Sequence, residues 1–248
     1  MKRPVAPALL GLITGLALMF AVYTVYTSAG KQRYDHERAQ VASRINTLQA
    51  RFAESLGARM HLAPHMASFI RTEYNVLPDA EDNTEEELGV LAEDFLRHQP
   101  GVIRLLVAKD GIIQYVAPME ENELLLGKDL YLDPVVGILL KTGMDQDKPV
   151  ITFTRADGGK MTLSWYVPVH FPETPGGTAG YLWGLSGVTI DLDQVLKESG
   201  FVGQDHQLQL AIATGDINDP ATSWILGDRS LFTNDPVYAD LRVQNLTW

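Results

Sequence analysis

Lys2 and Arg3 stand in front of an uncharged run from Val5 to Tyr26, and the next charge is Lys31. A bilayer core takes about 20 apolar residues as a helix, so this run is long enough to span. Thr27-Ser28-Ala29 is a weak signal-peptidase site, but a cleavable signal has a shorter apolar stretch of about 7–15 residues. An uncleaved anchor is therefore expected. The positive-inside rule places Lys2 and Arg3 in the cytoplasm and the rest of the chain outside, since no later apolar run is long enough to return it.

The next segment, from Tyr34 to about Tyr74, has helical periodicity. Val41, Ile45, Leu48, Phe52, Leu56 and Met60 recur every three or four positions between Arg38, Arg44, Gln49, Glu54 and Arg59. The 4-3-4 spacing of the first four suits a seam between two helices, so a homodimer through this stalk helix is expected. The same residues would also serve a helix lying on its own domain's core. Pro64 should kink or break the rod.

A polar loop from Pro78 leads into a second helix, Glu86 to His98, with Thr84 and Glu87 as a capping box. The period then changes. Val102–Ala108 and Ile112–Val116 read as strands joined at Lys109-Asp110-Gly111, a hairpin signal. A short helix from Pro134 to Thr142 follows, N-capped by Asp133 and ended by Gly143. Val150–Thr154 and Met161–Val169 form a second hairpin, then come a strand at Tyr181–Ile190 and a helix from Asp191 to Ser199. Segments 207–213, 224–226 and 237–243 read as strands of another sheet. The expected fold class is α+β: a transmembrane helix, a long stalk helix, an antiparallel sheet domain and a smaller membrane-proximal sheet domain. The expected boundaries are 1–30 for tip and anchor, 31–100 for stalk and second helix, 101–200 for the ligand-binding domain and 201–248 for the proximal sheet.

Composition narrows the function. A net charge of -11 over 248 residues argues against a nucleic-acid partner. The absence of Cys excludes disulfides, thiolate metal sites and cysteine nucleophiles. No motif calls for a cofactor. His61 and His65 have i, i+4 zinc spacing but no third ligand close in sequence, and Pro64 intervenes. Gly184-Leu-Ser-Gly187 lacks the spacing of a nucleophile elbow. Asp216-Ile-Asn-Asp-Pro220 opens like a calcium loop but has Pro at the fifth position and no Gly at the sixth. Asn245-Leu-Thr247 is a glycosylation sequon by pattern alone. No constellation supports catalysis.

Asp129 is the carboxylate that stands out. It lies among Leu126, Leu130 and Leu132, while Asp133 already serves the helix start. Opposite strands bear Trp165, Tyr166 and Trp183. A carboxylate so placed suits a small pocket with one polar anchor; alternatively it bonds only backbone N–H groups in a tight corner.

The ordered set Val116-Ala-Pro-Met119, Gly127-Lys-Asp-Leu130, Thr142-Gly143, Val150-Ile-Thr152, Val167-Pro-Val169 and Thr178-Ala-Gly-Tyr-Leu182 resembles the CHASE domain, the extracytoplasmic sensory module of membrane-bound histidine kinases and nucleotide cyclases. Asp219-Pro220 and Trp224-Ile-Leu-Gly-Asp228 resemble the start of its membrane-proximal half. The resemblance implies a PAS-like ligand-binding sheet distal to the membrane. It matches Asp129 to an aspartate that hydrogen-bonds the ligand, Ile151 to an apolar pocket residue, and Gly180, Leu182 and Gly184 to the pocket wall; Tyr166 joins them as an expected contact. The hairpin Arg155-Ala-Asp-Gly-Gly-Lys160 is shorter than the family's, a departure that bears on ligand identity. The expected function is a small-molecule sensor in a bacterial inner membrane with its sensory part in the periplasm. Its output, a kinase or cyclic-dinucleotide enzyme, would follow a second span beyond Trp248. A tethered periplasmic enzyme and a structural dimerisation stalk are the alternatives.

Overall fold

The computed structural model describes residues 6–76, 81–155, 159–172, 180–202, 208–214, 223–233, 235–243 and 246–247. Helix α1, Ala6–Met60, runs without interruption for 55 residues, and α2, Leu62–Val76, follows after a break at His61. Pro64 explains that break. It has no N–H to give the carbonyl of Met60, and its ring crowds that carbonyl, so the ladder is interrupted one turn upstream. The expected break is present.

Among the described residues no helix is long and apolar enough to cross a membrane. Much of the expected anchor, Val5 and the side chains of 6–14, lies outside the described residues. From Leu16 to Tyr26 the apolar side chains are exposed.

Helix α3, Glu81–His98, starts ahead of Thr84, so the expected capping box is not its first turn. A five-stranded antiparallel sheet comes next: β1 Val102–Lys109, β2 Ile112–Ala117, β3 Val150–Arg155, β4 Met161–Pro172 and β5 Gly180–Asp191, in the order β2-β1-β5-β4-β3. The β1–β2 turn is the expected two-residue hairpin. Asp110 and Gly111 take φ of 50° and 85°, which suits the strand twist and which Gly adopts without cost. Between β2 and β3 lie two short 3-10 turns, Glu123–Leu125 and Leu130–Leu132, and helix α4, Gly137–Asp145. Asp133 caps the approach to α4, its Oδ1 accepting from Val135 and Val136 at 2.8 and 3.0 Å. The helix starts one turn later than expected and continues through Gly143. There a Cβ would fall 2.0 Å from Val150 Cγ2, so this glycine allows α4 to sit against β3 rather than ending the helix.

Helix α5, Leu192–Glu198, is capped by Asp191, whose Oδ1 accepts from Gln194 N at 3.0 Å. The C-terminal part carries β6 Ile212–Thr214 paired with β7 Ser223–Leu226, and β8 Arg242–Val243 paired with β9 Leu246–Thr247. The chain is thus a mixed α and antiparallel β structure with a long N-terminal helix.

The sheet has two unlike faces. One presents Leu105, Val107, Leu163, Trp165, Val188 and Ile190 to a core shared with Phe52, Leu56, Met60, Met66 and Ile70 of α1 and α2 and Val195 of α5. The other presents Leu106, Ala108, Val150, Tyr166 and Leu185 to Leu140 and Met144 of α4. The first face holds the sheet to the stalk, and the second is roofed by short segments.

The stalk seam needs a correction. Leu48 and Phe52 are buried in the chain's own core, and Val41 and Ile45 line a cavity beneath the C-terminal strands. Burying a fully apolar side chain is worth about 1.5–3 kcal/mol, and the chain's own domain already collects that gain at Leu48 and Phe52. Leu48 and Phe52 are not available to a second copy, whereas Val41 and Ile45 stay partly exposed.

Candidate functional site

Pairing across the sheet draws residues distant in sequence into rows. On the α4 face, Leu106 pairs with Gly187, Gly187 with Tyr166, and Tyr166 with Val150. A Cβ on Gly187 would lie 2.7 Å from the Tyr166 ring and 3.2 Å from Leu106, so the missing side chain lets the ring lie across β5. The row beside it is polar: Arg104 pairs with Thr189, Thr189 with Ser164, and Ser164 with Thr152. Thr189, Ser164 and Thr152 are only 4, 6 and 6% exposed. Three buried hydroxyls in line, with a half-buried arginine at the end of the row, are a costly use of a sheet face, because each buried hydroxyl must find a partner.

The bonds in this row run toward Arg104. Ser164 Oγ and Thr189 Oγ1 are 3.0 Å apart, and Arg104 Nη2 donates to Thr189 Oγ1 at 3.4 Å. Arg104 Nη1 donates to Asn122 Oδ1 at 3.3 Å, and Asn122, itself buried, donates from Nδ2 to Pro118 O at 2.9 Å. Burial pushes the Tyr166 hydroxyl above the ordinary tyrosine range, while its bond to Ser164 and the charge of Arg104 pull it back. Ser164 and Arg104 therefore both bear on the Tyr166 hydroxyl.

Asp129 stands at the edge of the same face. Its Oδ1 accepts from Tyr131 N at 2.8 Å, capping the 3-10 turn, and its backbone bridges Ile112 of β2. It does have a helix end to serve, a short one that its spacing did not reveal. Tyr131 covers the hairpin glycine, with ring atoms 2.4–2.9 Å from where a Gly111 Cβ would stand. Burial raises the Tyr131 hydroxyl, and the charges of Asp110, Asp145 and Asp129 add to that.

The six expected contacts do not converge. Tyr166 and Leu182 pack on the α4 face beside Leu130 and Tyr131, near Asp129. Ile151 pairs with Trp165 and packs on the stalk face. Gly180 is exposed at the start of β5, where a Cβ would meet Phe171 O at 2.4 Å. Gly184 lies against β1, a Cβ there falling 2.0 Å from Ala108 O. Trp165 and Trp183 also belong to the stalk face. Arg104, Asn122, Thr152, Ser164 and Thr189 were missed. The available signal was a lone arginine inside the apolar strand Val102–Ala108 and polar residues at alternate positions of three strands.

A separate cavity of about 330 Å³ lies between α1 and the C-terminal strands, lined by Val41, Ile45, Gln49, Phe201, Leu210 and Leu241 among others. Beside it, Arg38 Nη1 lies 3.0 Å from Asp235 Oδ1 and Arg38 Nη2 donates to Pro236 O at 3.1 Å. Tyr34 also hydrogen-bonds the Asp235 carboxylate. These contacts tie the C-terminal part to the stalk.

No protein-family model matches the chain, and no curated protein matches it. The CHASE likeness thus stays a resemblance. Among solved structures, the ligand-binding domain of the Campylobacter jejuni chemoreceptor Tlp3 in complex with L-valine is 11% identical, with a TM-score of 0.48 over 67% of this chain and 64% of that one. The Vibrio cholerae LuxQ periplasmic domain is 14% identical, with a TM-score of 0.41 over 82% of this chain and 91% of that one. An extracellular ligand binding receptor from Desulfohalobium retbaense is 17% identical, with a TM-score of 0.43 over 61% of this chain. The chain spans 26% of that receptor and 64% of the Tlp3 domain. At TM-scores below 0.5, none of these defines the fold or a ligand of this chain.

Proposed function

We propose that this chain is the extracytoplasmic ligand-sensing part of a bacterial transmembrane receptor, with a small molecule bound on the α4 face of a PAS-like sheet. The observation that carries this reading is the row of buried hydroxyls Thr189, Ser164 and Thr152 ending on the half-buried Arg104, on the face roofed by short segments, while the opposite face is filled by the stalk core. A sheet used only as scaffold gains nothing from burying three hydroxyls in line and setting an arginine at their end. Asp129, Tyr166 and Leu182 border the same face as further contacts.

In this reading residues 1–30 are the cytoplasmic tip and anchor, 31–100 the stalk and second helix, 101–200 the sensing domain and 201–248 the membrane-proximal part. Support for the anchor comes from the uncharged Val5–Tyr26 run and the exposed apolar side chains of its described part. A stalk homodimer would use the exposed face of α1 around Ala39, Ser43, Asn46 and Ala50. Ligand binding biases the receptor only through different affinity for its two states, so the sheet must move against α1 for a signal to pass. A melting-temperature screen of the full chain against a library of small metabolites tests the reading. A set of chemically related compounds that stabilise it supports the reading, and a library without one hit removes it.

A further inference from the structure

The Arg104 guanidinium is under-used by its own chain. It offers five N–H donors. Its two bonds, 3.3 Å to Asn122 Oδ1 and 3.4 Å to Thr189 Oγ1, are longer than the 2.7–3.2 Å range of ordinary N–H···O bonds, and both acceptors are neutral. Arg104 Nε is buried with no partner. Among the described residues no carboxylate comes within 4.0 Å of it, whereas Arg38 and Arg59 each hold one. Arg104 is half-buried, so part of its guanidinium can still meet an incoming group, while the shielded Nε gains a partner only if an acceptor arrives.

The neighbours suit an anion as well. The hydroxyls of Ser164 and Thr189 rotate, so each can turn its O–H toward an incoming oxygen. One guanidinium with hydroxyls beside it carries a single positive charge in a planar fork, which fits the two oxygens of a carboxylate in a bidentate pair. Lysine, the usual companion for a doubly charged phosphate, is absent from the row.

We propose that Arg104, with Thr189 and Ser164, binds the carboxylate group of a small organic acid. This rests on the sensor reading of the α4 face and names its ligand class. Arg104 then exchanges two long bonds to neutral oxygens for a charge-assisted pair. Since Asn122 precedes the first 3-10 turn, that exchange releases the segment leading to Asp129 and α4.

The test uses the full chain, with melting curves and calorimetric titrations of acetate, propionate and succinate, propionamide as the uncharged counterpart, and inorganic phosphate. The carboxylates should stabilise the protein and propionamide should not. Arg104→Gln should weaken carboxylate binding by about ten- to 150-fold, the worth of a charge-assisted bond. Thr189→Val, nearly the same shape without the hydroxyl, should weaken it less, and it carries the test if Arg104→Gln fails to fold. Equal binding of propionamide and propionate, binding of phosphate alone, unchanged affinity in a folded Arg104→Gln, or unchanged affinity in Thr189→Val if that variant must stand alone, each overturns the assignment. If carboxylates leave the protein unmoved while other library compounds stabilise it, the ligand class falls and the sensor reading stands. If nothing stabilises it, both fall.

Discussion

Arg59 Nη2 and Glu198 Oε2 lie 2.7 Å apart, joining the last turn of α1 to the end of α5. The guanidinium is almost fully buried and the carboxylate about a third exposed, at 5 and 38%. Arg59 also donates from Nε to Pro100 O at 2.8 Å and from Nη1 to Ser55 O at 2.9 Å, so every arm of the fork is used. One side chain thus fastens the stalk to both ends of the sheet domain, the approach to β1 and the helix after β5. Glu198→Gln should lower stability by about 1–2 kcal/mol, discounted for solvent at the carboxylate. Arg59→Ala should cost more, because it strands the Pro100 carbonyl and opens a gap. Urea denaturation of the two variants checks the order.

The seam correction makes its own prediction. Phe52 is fully buried and its ring meets Phe201 edge-on at 5.8 Å, so Phe52→Ala should cost about 3–5 kcal/mol as a core truncation. Cysteines placed at Leu48 or Phe52 should not crosslink two copies on oxidation. Cysteines at Ser43 or Ala50 report on the exposed face, and crosslinks there alone would locate the stalk dimer.

Asp129→Ala removes the cap on Tyr131 N and should lower stability by about 1 kcal/mol without any ligand. Asp129→Asn, a good cap by itself, should restore most of that. A ligand contact at Asp129 adds a second effect: Asp129→Asn should then bind ligand more weakly while melting like the parent. Calorimetry on both variants, with and without ligand, separates the two roles.

The tie between stalk and C-terminal part should loosen in acid. Hydrogen bonding from Tyr34 and the charge of Arg38 hold the Asp235 carboxyl below its ordinary range. A lowered folded-state pKa contributes stability that is present above the unfolded value, near pH 4, and is lost as the pH falls through the folded one. Below about pH 4 the C-terminal segment should therefore become more open to protease than the sheet domain. Asp235→Asn should show that sensitivity already at neutral pH. Limited proteolysis across a pH series measures both.

Gly187→Ala should disturb the α4 face specifically. Its Cβ would press on the Tyr166 ring at 2.7 Å, and overpacking of this kind costs about 1–3 kcal/mol. The near-ultraviolet circular dichroism of the aromatic residues should change while the far-ultraviolet signal is retained.

The local elements were legible in the chain itself. The change of period predicted all five strands of the main sheet to within a few residues, Lys109-Asp110-Gly111 predicted the hairpin and Pro64 the break at His61, whereas Asp133, expected to N-cap the helix, bonds Val135 and Val136 ahead of α4. These depend on neighbours a few positions apart, where dihedral preferences and caps act. What tertiary structure decided is which distant residues share a face. In a strand one position's shift reverses the side, which is why Val150 meets the α4 face and Ile151 the stalk. Arg104 and Thr189 are 85 positions apart, and only the β1–β5 register puts them in one row. Likewise the spacing of Val41, Ile45, Leu48 and Phe52 stated that a helix face would be buried, but not what would cover it. Periodicity records that apolar area must leave water; it carries no record of the surface that takes it in.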